Sequence, residues 1–286
     1  MEMNNLLLGQ LFNKIPIAEK TELATEWITE KFSFLFTPIK KHFGSFMEWT
    51  AEMLNTVPPI AMIIIVAILA FLVSGKRFGL AVFSIVGLLI IENQGYWGHL
   101  MDTFSLVLIA SLLSIIIGVP VGILMAKSKV AETIITPILD FMQTMPAFVY
   151  LIPAVAFFGI GMVPGVFASL IFATPPTVRF TNLGIRQVSE ELVEASDAFG
   201  STGAQKLFKV ELPMAKATIM AGINQTVMLA LSMVVIASMI GAPGLGREVL
   251  SALQRAQVGT GFVAGIGIVI LAIIIDRFTQ NMNKQK

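Results

Sequence analysis

The sequence contains no cysteine and only two histidines, His42 and His99, among its 286 residues. Without cysteine the chain can form no disulfide, present no catalytic thiolate and offer no thiolate ligand to a metal. The two histidines lie far apart in sequence, so a histidine-based metal cluster is not expected either. We therefore predict no metal site. No pair of catalytic carboxylates and no nucleophile with a base is visible inside the apolar runs, so we predict no catalytic residues either.

Charge is also scarce, because Asp, Glu, Lys and Arg make up only 13% of the chain and the formal net charge is +1. No basic face is available to neutralise phosphates, which argues against a nucleic-acid partner. Hydrophobic residues, by contrast, make up 56%, and the mean hydropathy of +0.83 is too high for a soluble domain. The composition predicts an all-α polytopic membrane protein embedded in lipid.

The apolar runs predict seven spans, each near the length of about 20 residues that a bilayer requires. They cover residues 57–74, 78–95, 103–125, 132–158, 163–182, 214–240 and 259–279. Pro146 interrupts the fourth run, and such breaks survive in membranes where neighbouring groups satisfy the freed backbone. We expect residues 57–100 to form accessory spans and residues 101–280 to form a core of five spans.

Basic residues predict the orientation. If seven spans alternate, one side of the membrane holds Lys76, Arg77, Lys127, Lys129, Arg186, Lys206, Lys209, Lys284 and Lys286. Basic residues in short connections favour the cytoplasm. We therefore expect the connection 187–213 and the C-terminus inside and the N-terminus outside. Arg247 and Arg255 fall on the outer side and weaken the bias without reversing it.

Residues 1–56 form a different unit, predicted to lie outside the cytoplasm. Between Trp27 and Met47, apolar residues recur at steps of three and four with charged residues among them. This spacing predicts an amphipathic helix. The helix either lies in the membrane interface or packs on the bundle of spans.

The connection 187–213 is largely polar and lies between two apolar runs. Residues 190–199 have a helical pattern, and Gly200 can adopt the positive φ that ends a helix. Thr202 can cap a second helix, with a capping-box glutamine three residues on, and Pro213 is expected to limit that helix. The pattern predicts an ordered hairpin of two short helices, which suits contact with a soluble partner.

The same connection reads Glu-Ala-Ser, three residues, Gly, nine residues, then Val-Glu-Leu-Pro. It resembles the EAA loop of bacterial ABC importer permeases, whose pattern is Glu-Ala-Ala, three residues, Gly, nine residues, Ile, one residue, Leu-Pro. Ser196 replaces the second alanine and Val210 the isoleucine. The resemblance implies docking into a groove on an ATP-hydrolysing subunit, through Glu194, Ala195, Gly200, Leu212 and Pro213. The chain has no Gly-x-x-x-x-Gly-Lys-Ser/Thr phosphate loop, so we expect no cofactor here and expect ATP and Mg²⁺ on the partner ATPase.

Residues 95–280 further resemble the betaine-type permeases of osmoprotectant uptake systems. The shared stretches are residues 140–153, 158–165, 181–188, 244–250, 258–262 and 273–280. The resemblance implies a type I ABC importer (MetI-like) permease core and ATP-driven import of glycine betaine, a quaternary ammonium solute, across the bacterial cell membrane. It also implies two ATPase subunits, an extracytoplasmic substrate-binding protein and a second copy of this chain, hence a homodimer. Choline, carnitine or proline as cargo stay open, as do a secondary transporter or channel and an intramembrane enzyme.

Few polar residues are candidates for the transport path. Asp140 lies within a predicted span, where an ionisable residue is a functional hypothesis by default. It either faces a cavity and attracts the ammonium group or pairs with Arg179 as a structural clamp. Asn224 either lines the path or forms an interhelical hydrogen bond. The candidates for the lining around the proline break are Gln143, Thr144, Pro146 and Tyr150.

Overall fold

The structure is a computed structural model that describes residues 16–284. Every regular element in that range is helical, as the composition predicts. In chain order the helices are α1 (Ile17–Lys31), α2 (Ser33–Thr56), α3 (Pro59–Val73), α4 (Phe78–Asn93), α5 (Trp97–Lys127), α6 (Lys129–Thr144), α7 (Leu151–Phe158), α8 (Met162–Arg186), α9 (Glu190–Ala198), α10 (Gly203–Lys206), α11 (Leu212–Ser238), α12 (Leu245–Gln254) and α13 (Val258–Lys284). A 3₁₀ turn (Ala147–Tyr150) precedes α7, and a π-helical segment (Leu207–Glu211) joins α10 to α11.

Helix α8 forms the centre of the bundle and packs most extensively on α5 and α11. Glycines bring these helices together: a Cβ placed at Gly122 of α5 would lie 2.6 Å from the carbonyl oxygen of Val178, and one at Gly222 of α11 would lie 2.5 Å from the Cβ of Phe180. Inside a membrane, where lipid is as apolar as the side chains, such close approach supplies much of the helix association. The three helices therefore form a tightly packed core.

The fourth apolar run, residues 132–158, is interrupted at Pro146 as expected, and α6 and the 3₁₀–α7 segment meet there at 109°. Pro146 lacks a backbone N–H and disfavours helical geometry at Met145, whose ψ is 133°. The carbonyl of Met142 would normally accept a hydrogen bond from the residue at position 146. The Tyr150 hydroxyl donates to that carbonyl instead, so the bend is closed by a side chain.

The second hairpin helix does not end before Pro213 as predicted. A continuous helix of 36 residues runs from Gly203 to Ser238. The π-helical segment lies immediately before Pro213, and its wider turn accommodates the ring and the missing donor that would disrupt a regular α-helix. The second arm of the hairpin and the following apolar helix are therefore one rod.

Several described helices are suited to a membrane. Three are long and apolar enough to cross one on their own, and the number rises to five if each of two bent pairs, α2–α3 and α6–α7, counts as one span. Many large apolar side chains are exposed along α3, α4 and α5, as expected for surfaces that face lipid. The molecule is a multi-pass membrane protein, while the count of seven spans and the predicted sidedness of the termini stay predictions.

The amphipathic helix of the N-terminal unit packs on the bundle. The ring of Phe36 in α2 stacks on Phe157 at 4.9 Å, and the ring of Phe43 lies 5.5 Å from that of Phe167. Helix α1, in contrast, has no buried residue. Of the two predicted alternatives, packing on the bundle therefore applies to one face of α2. A position in the membrane interface stays a prediction for α1. Residues 1–15 of this unit lie outside the described residues.

Candidate functional site

The polar connection folds as the predicted hairpin. Ser189 caps α9 by accepting from the backbone of Leu192, and α9 ends with Gly200 at a φ of +77°. The N–H of Gly200 donates to the carbonyl of Asp197 at 2.9 Å, and the N–H of Ser201 donates to that of Ser196 at 3.1 Å. These two bonds are the Schellman arrangement, which requires a residue in the left-handed region.

The second arm of the hairpin begins with a complete capping box. The N–H of Gln205 donates to the Thr202 hydroxyl at 3.3 Å, and the N–H of Thr202 donates to the Gln205 side chain at 2.9 Å. Lys206 also contacts both carboxylate oxygens of Asp197 at 2.8 Å, which joins the two arms. The hairpin is thus held by its own hydrogen bonds at the turn.

The surface of this hairpin is unusual for a polar connection because it exposes large apolar side chains. Phe199 at the turn is 91% exposed, and Leu192 and Phe208 are exposed as well. Of the predicted docking residues, Glu194, Ala195, Gly200 and Pro213 are exposed and Leu212 is half-buried. Exposed apolar side chains among polar ones are typical of a protein interaction site.

A second polar region lies on α6. Arg179 of α8 forms an ion pair with Asp140, whose side chain is 58% exposed, so the pairing considered for these two residues is present. The helical wheel of α6 has three sectors, one of core residues, one of exposed apolar residues and one of exposed polar residues. The exposed polar sector contains Thr133, Asp140, Gln143 and Thr144. An exposed polar sector on a membrane helix must face water, a cavity or another protein surface rather than lipid.

The remaining transport-path candidates fall into two groups, exposed residues and residues whose side chains bond within the bundle. Gln143, Thr144 and Pro146 are exposed beside the bend and are available to line a path. Tyr150 is buried and its hydroxyl is used to close the bend. Asn224 of α11 donates to Asp276 of α13 at 2.9 Å, which is the interhelical hydrogen bond considered for it. Tyr150 and Asn224 therefore hold the scaffold in this conformation.

Four charged residues at the base of the hairpin are functional candidates that the sequence patterns did not indicate, since those patterns treat them as loop charges or leave them unassigned. They are Lys127, Glu132, Arg186 and Glu211. Glu211 is the residue left unspecified between the two fixed positions of the Val-Glu-Leu-Pro pattern, and it is only 4% exposed. One feature of the sequence could have indicated Glu211: it is a carboxylate among apolar residues next to a predicted span. Such a group needs a charged or polar partner when it is buried.

Residues that could hold a metal or a nucleotide are sparse. Across residues 16–284 no three His, Asp or Glu side chains are grouped as metal ligands would be. The sequence of the hairpin contains no glycine-rich phosphate-binding loop. Its exposed surface combines charged and polar residues with the large apolar side chains of Leu192, Phe199 and Phe208.

Known proteins share this sequence and fold. Residues 118–285 match the family model described as the binding-protein-dependent transport system inner membrane component. The chain is 59% identical to the glycine betaine/carnitine transport permease protein GbuB of Listeria monocytogenes, over 95% of this chain and 96% of the relative. It is 52% identical to the glycine betaine transport system permease protein OpuAB of Bacillus subtilis, over 96% of both chains. It is 47% identical to the glycine betaine/proline betaine transport system permease protein ProW of Escherichia coli, over 94% of this chain and 76% of the relative.

A solved structure shares the fold. A chain of the MetNI methionine ABC transporter in an inward-facing conformation superposes with a TM-score of 0.58 at 21% identity, covering 64% of this chain and 92% of that chain. The helical bundle and its polar hairpin define a membrane permease subunit. The chain belongs to the binding-protein-dependent transport system inner membrane components, the membrane-embedded part of ABC transporters.

Proposed function

We propose that this chain is the permease subunit of an ATP-driven importer for glycine betaine, serving osmoprotection. The observation that carries the proposal is a well-formed docking hairpin in a chain whose relatives, at 47–59% identity over nearly its whole length, carry glycine betaine in their names. A solute with a permanent positive charge needs a protein path, because no proton transfer can neutralise it inside hydrocarbon. The permease would supply that path.

The chain would have no catalytic activity or cofactor of its own. Two partner ATPase subunits would bind ATP and Mg²⁺ and receive the hairpin through Glu194, Ala195, Gly200, Leu212 and Pro213. The exposed Phe199 at the turn supports such docking, because an apolar side chain of that size is usually covered in an assembly. The hairpin and the C-terminus would then lie in the cytoplasm of a bacterial cell and the N-terminus outside.

A second copy of this chain would complete the path. One hairpin per chain suits a two-fold assembly in which each copy contacts one ATPase. The polar sector of α6, with Asp140 and its partner Arg179, would then face the second copy and the solute rather than lipid. ATP binding would draw the two hairpins together, and the core would alternate between inward and outward openings by rigid-body movement.

The main recognition of the solute would belong to an extracytoplasmic binding protein. Trimethylammonium groups are usually held in an aromatic cage. Trp27 lies exposed on α1, Trp49 lies exposed on α2, and Trp97 is buried in the core. The three tryptophans lie on three different helices, and the ring that lies against Trp49 is that of Phe46 at 6.2 Å.

The test is ATP-dependent uptake in proteoliposomes. The chain is purified with its native ATPase, reconstituted with the binding protein on the outside, and supplied with labelled glycine betaine. We expect uptake only with ATP, the ATPase and the binding protein together. Uptake without the ATPase would overturn the importer proposal in favour of a secondary transporter or channel. Unlabelled carnitine, choline and proline are then added as competitors. If one of them inhibits the labelled uptake more than unlabelled glycine betaine does, that solute is the better candidate for the cargo.

A further inference from the structure

Both ends of the hairpin connection are tied to the same corner of the core. That corner is where α5 ends at Lys127 and α6 begins at Lys129, with the Ser128 hydroxyl capping α6 by accepting from the N–H of Ala131 at 3.2 Å. The connection leaves α8 after Arg186 and enters α11 after Glu211, so its two ends reach the corner from different helices. Each end contributes one charged residue to the contact.

Arg186, the last residue of α8, ties the end of the connection from which the first arm starts. Its guanidinium donates to the Glu132 carboxylate at 2.7 Å and to the backbone carbonyl of Met125 at 3.0 Å, and its Nε donates to Asn182 at 2.9 Å. A planar guanidinium that makes three directed hydrogen bonds has little freedom to turn. The end of α8 is therefore fixed against both helices of the corner.

Glu211 ties the second arm. It lies in the π-helical segment, is almost fully buried, and forms an ion pair with Lys127 at the end of α5. The Lys127 side chain is 39% exposed, whereas removing it would leave the buried Glu211 carboxylate without its charged partner. Because the π-helical segment is continuous with α11, the second arm and its membrane helix are held to the corner together.

We propose that Lys127, Glu132, Arg186 and Glu211 form a corner clamp, through which movement of the docked hairpin is passed to the start of α6. The clamp rests on the proposed function, since it has a role only if an ATPase moves the hairpin. Lys206 of the second arm holds Asp197 of the first arm, so both arms move with the rod that carries Glu211. Through the clamp, displacement of that rod displaces α6, a helix of 16 residues that carries Asp140 and ends at the bend.

The test compares two lysines of the same corner. Lys127 is in the clamp, whereas Lys129, two residues on, is exposed and in no ion pair among the described residues. In proteoliposomes with the ATPase and binding protein, we expect Lys127→Gln and Arg186→Gln to lower solute moved per ATP hydrolysed by about tenfold while complexes still assemble. We expect Lys129→Gln to leave that ratio within about twofold of wild type. A wild-type ratio in assembled Lys127→Gln complexes would overturn the proposal.

Charge exchange separates clamping from folding. The single variant Glu211→Lys is expected to lose coupling or assembly, and the double variant Lys127→Glu/Glu211→Lys is expected to regain most of the lost coupling ratio. Failure of the exchange to improve on either single variant, in complexes that assemble, would also overturn the proposal.

A distance measurement tests the clamp without depending on which solute is transported. Since the chain has no cysteine, spin labels can be placed through Thr133→Cys on α6 and Ala198→Cys on the hairpin with no competing cysteine in this chain, which is labelled before the ATPase is added. We expect the label distance to stay constant when the ATPase-bound complex receives ATP, and to change or broaden on ATP addition once Arg186→Gln is introduced. A distance that changes equally in both proteins would refute the clamp. If wild type keeps a constant distance but imports no glycine betaine, the cargo assignment fails while the clamp stands.

Discussion

Replacing Gly200 at the turn of the hairpin isolates one physical effect. Its φ of +77° lies in the left-handed region, yet an added Cβ would meet no atom within 4 Å. Any cost of a side chain is therefore conformational rather than steric. For an L-residue that cost is about 1–2 kcal/mol, and a β-branched residue lies at the upper end or above.

The magnitude can be worked from the local hydrogen bonds. If Val at position 200 keeps the native φ, about 2 kcal/mol of strain favours any other turn by roughly thirtyfold. If it leaves that region, the two Schellman bonds to Ser196 and Asp197 are lost, at about 1 kcal/mol each. Both routes cost about the same, so Gly200→Val should populate altered directions of the two arms to an extent comparable with the native one.

The assay compares uptake with ATP hydrolysis in reconstituted complexes. We expect Gly200→Val to insert and assemble normally, to keep hydrolysing ATP, and to move much less solute per ATP. Gly200→Asn should be milder because Asn tolerates the left-handed region. Gly203→Ala is the matched control, since that glycine has no positive φ and an equally open surrounding. Normal uptake per ATP by Gly200→Val would show that the turn geometry is not what transmits the movement.

Two further substitutions test the core and the polar sector of α6. Gly122→Ala would place a Cβ 2.6 Å from the Cβ of Thr181, so we expect a loss of about 1–3 kcal/mol in stability, measured as a lower unfolding temperature in detergent. Gly265→Ala, in open surroundings, should leave the unfolding temperature unchanged, and equal effects of the two substitutions would contradict the packing argument. Asp140→Asn removes the charge that pairs with Arg179, and because both groups are partly exposed we expect assembly to persist and uptake to fall only modestly; complete loss of uptake in an assembled complex would instead favour direct contact with the solute.

Much of the hairpin follows from residue type and short spacing. The helix 190–199, the glycine that ends it and the capping box at Thr202 depend on hydrogen bonds between residues at most five positions apart. Such interactions are encoded by residue type and spacing alone. The same local rules gave the wrong prediction at Pro213, because the π-helical segment before it lets the helix continue, and no residue preference indicates that segment.

The candidates for the transport path show the opposite case. Asp140 and Arg179 are 39 residues apart in sequence. Whether Asp140 pairs with Arg179 or faces a cavity therefore depends on how α6 and α8 pack. Tyr150 is a plausible lining residue by its type and position, but the bend turns its hydroxyl back to Met142. The residue types indicated that these positions matter to the membrane region, but not what each one contacts.

Composition and short-range pattern by themselves determined that this protein is helical, lies in a membrane and presents a capped polar hairpin. Only the tertiary structure decided that the bend after α6 reaches 109° and that Glu211 meets Lys127. The physical reason is range. Helix propensity, capping and hydropathy act over a few residues, whereas an ion pair between residues 84 positions apart exists only once the packed helices have brought its charges together.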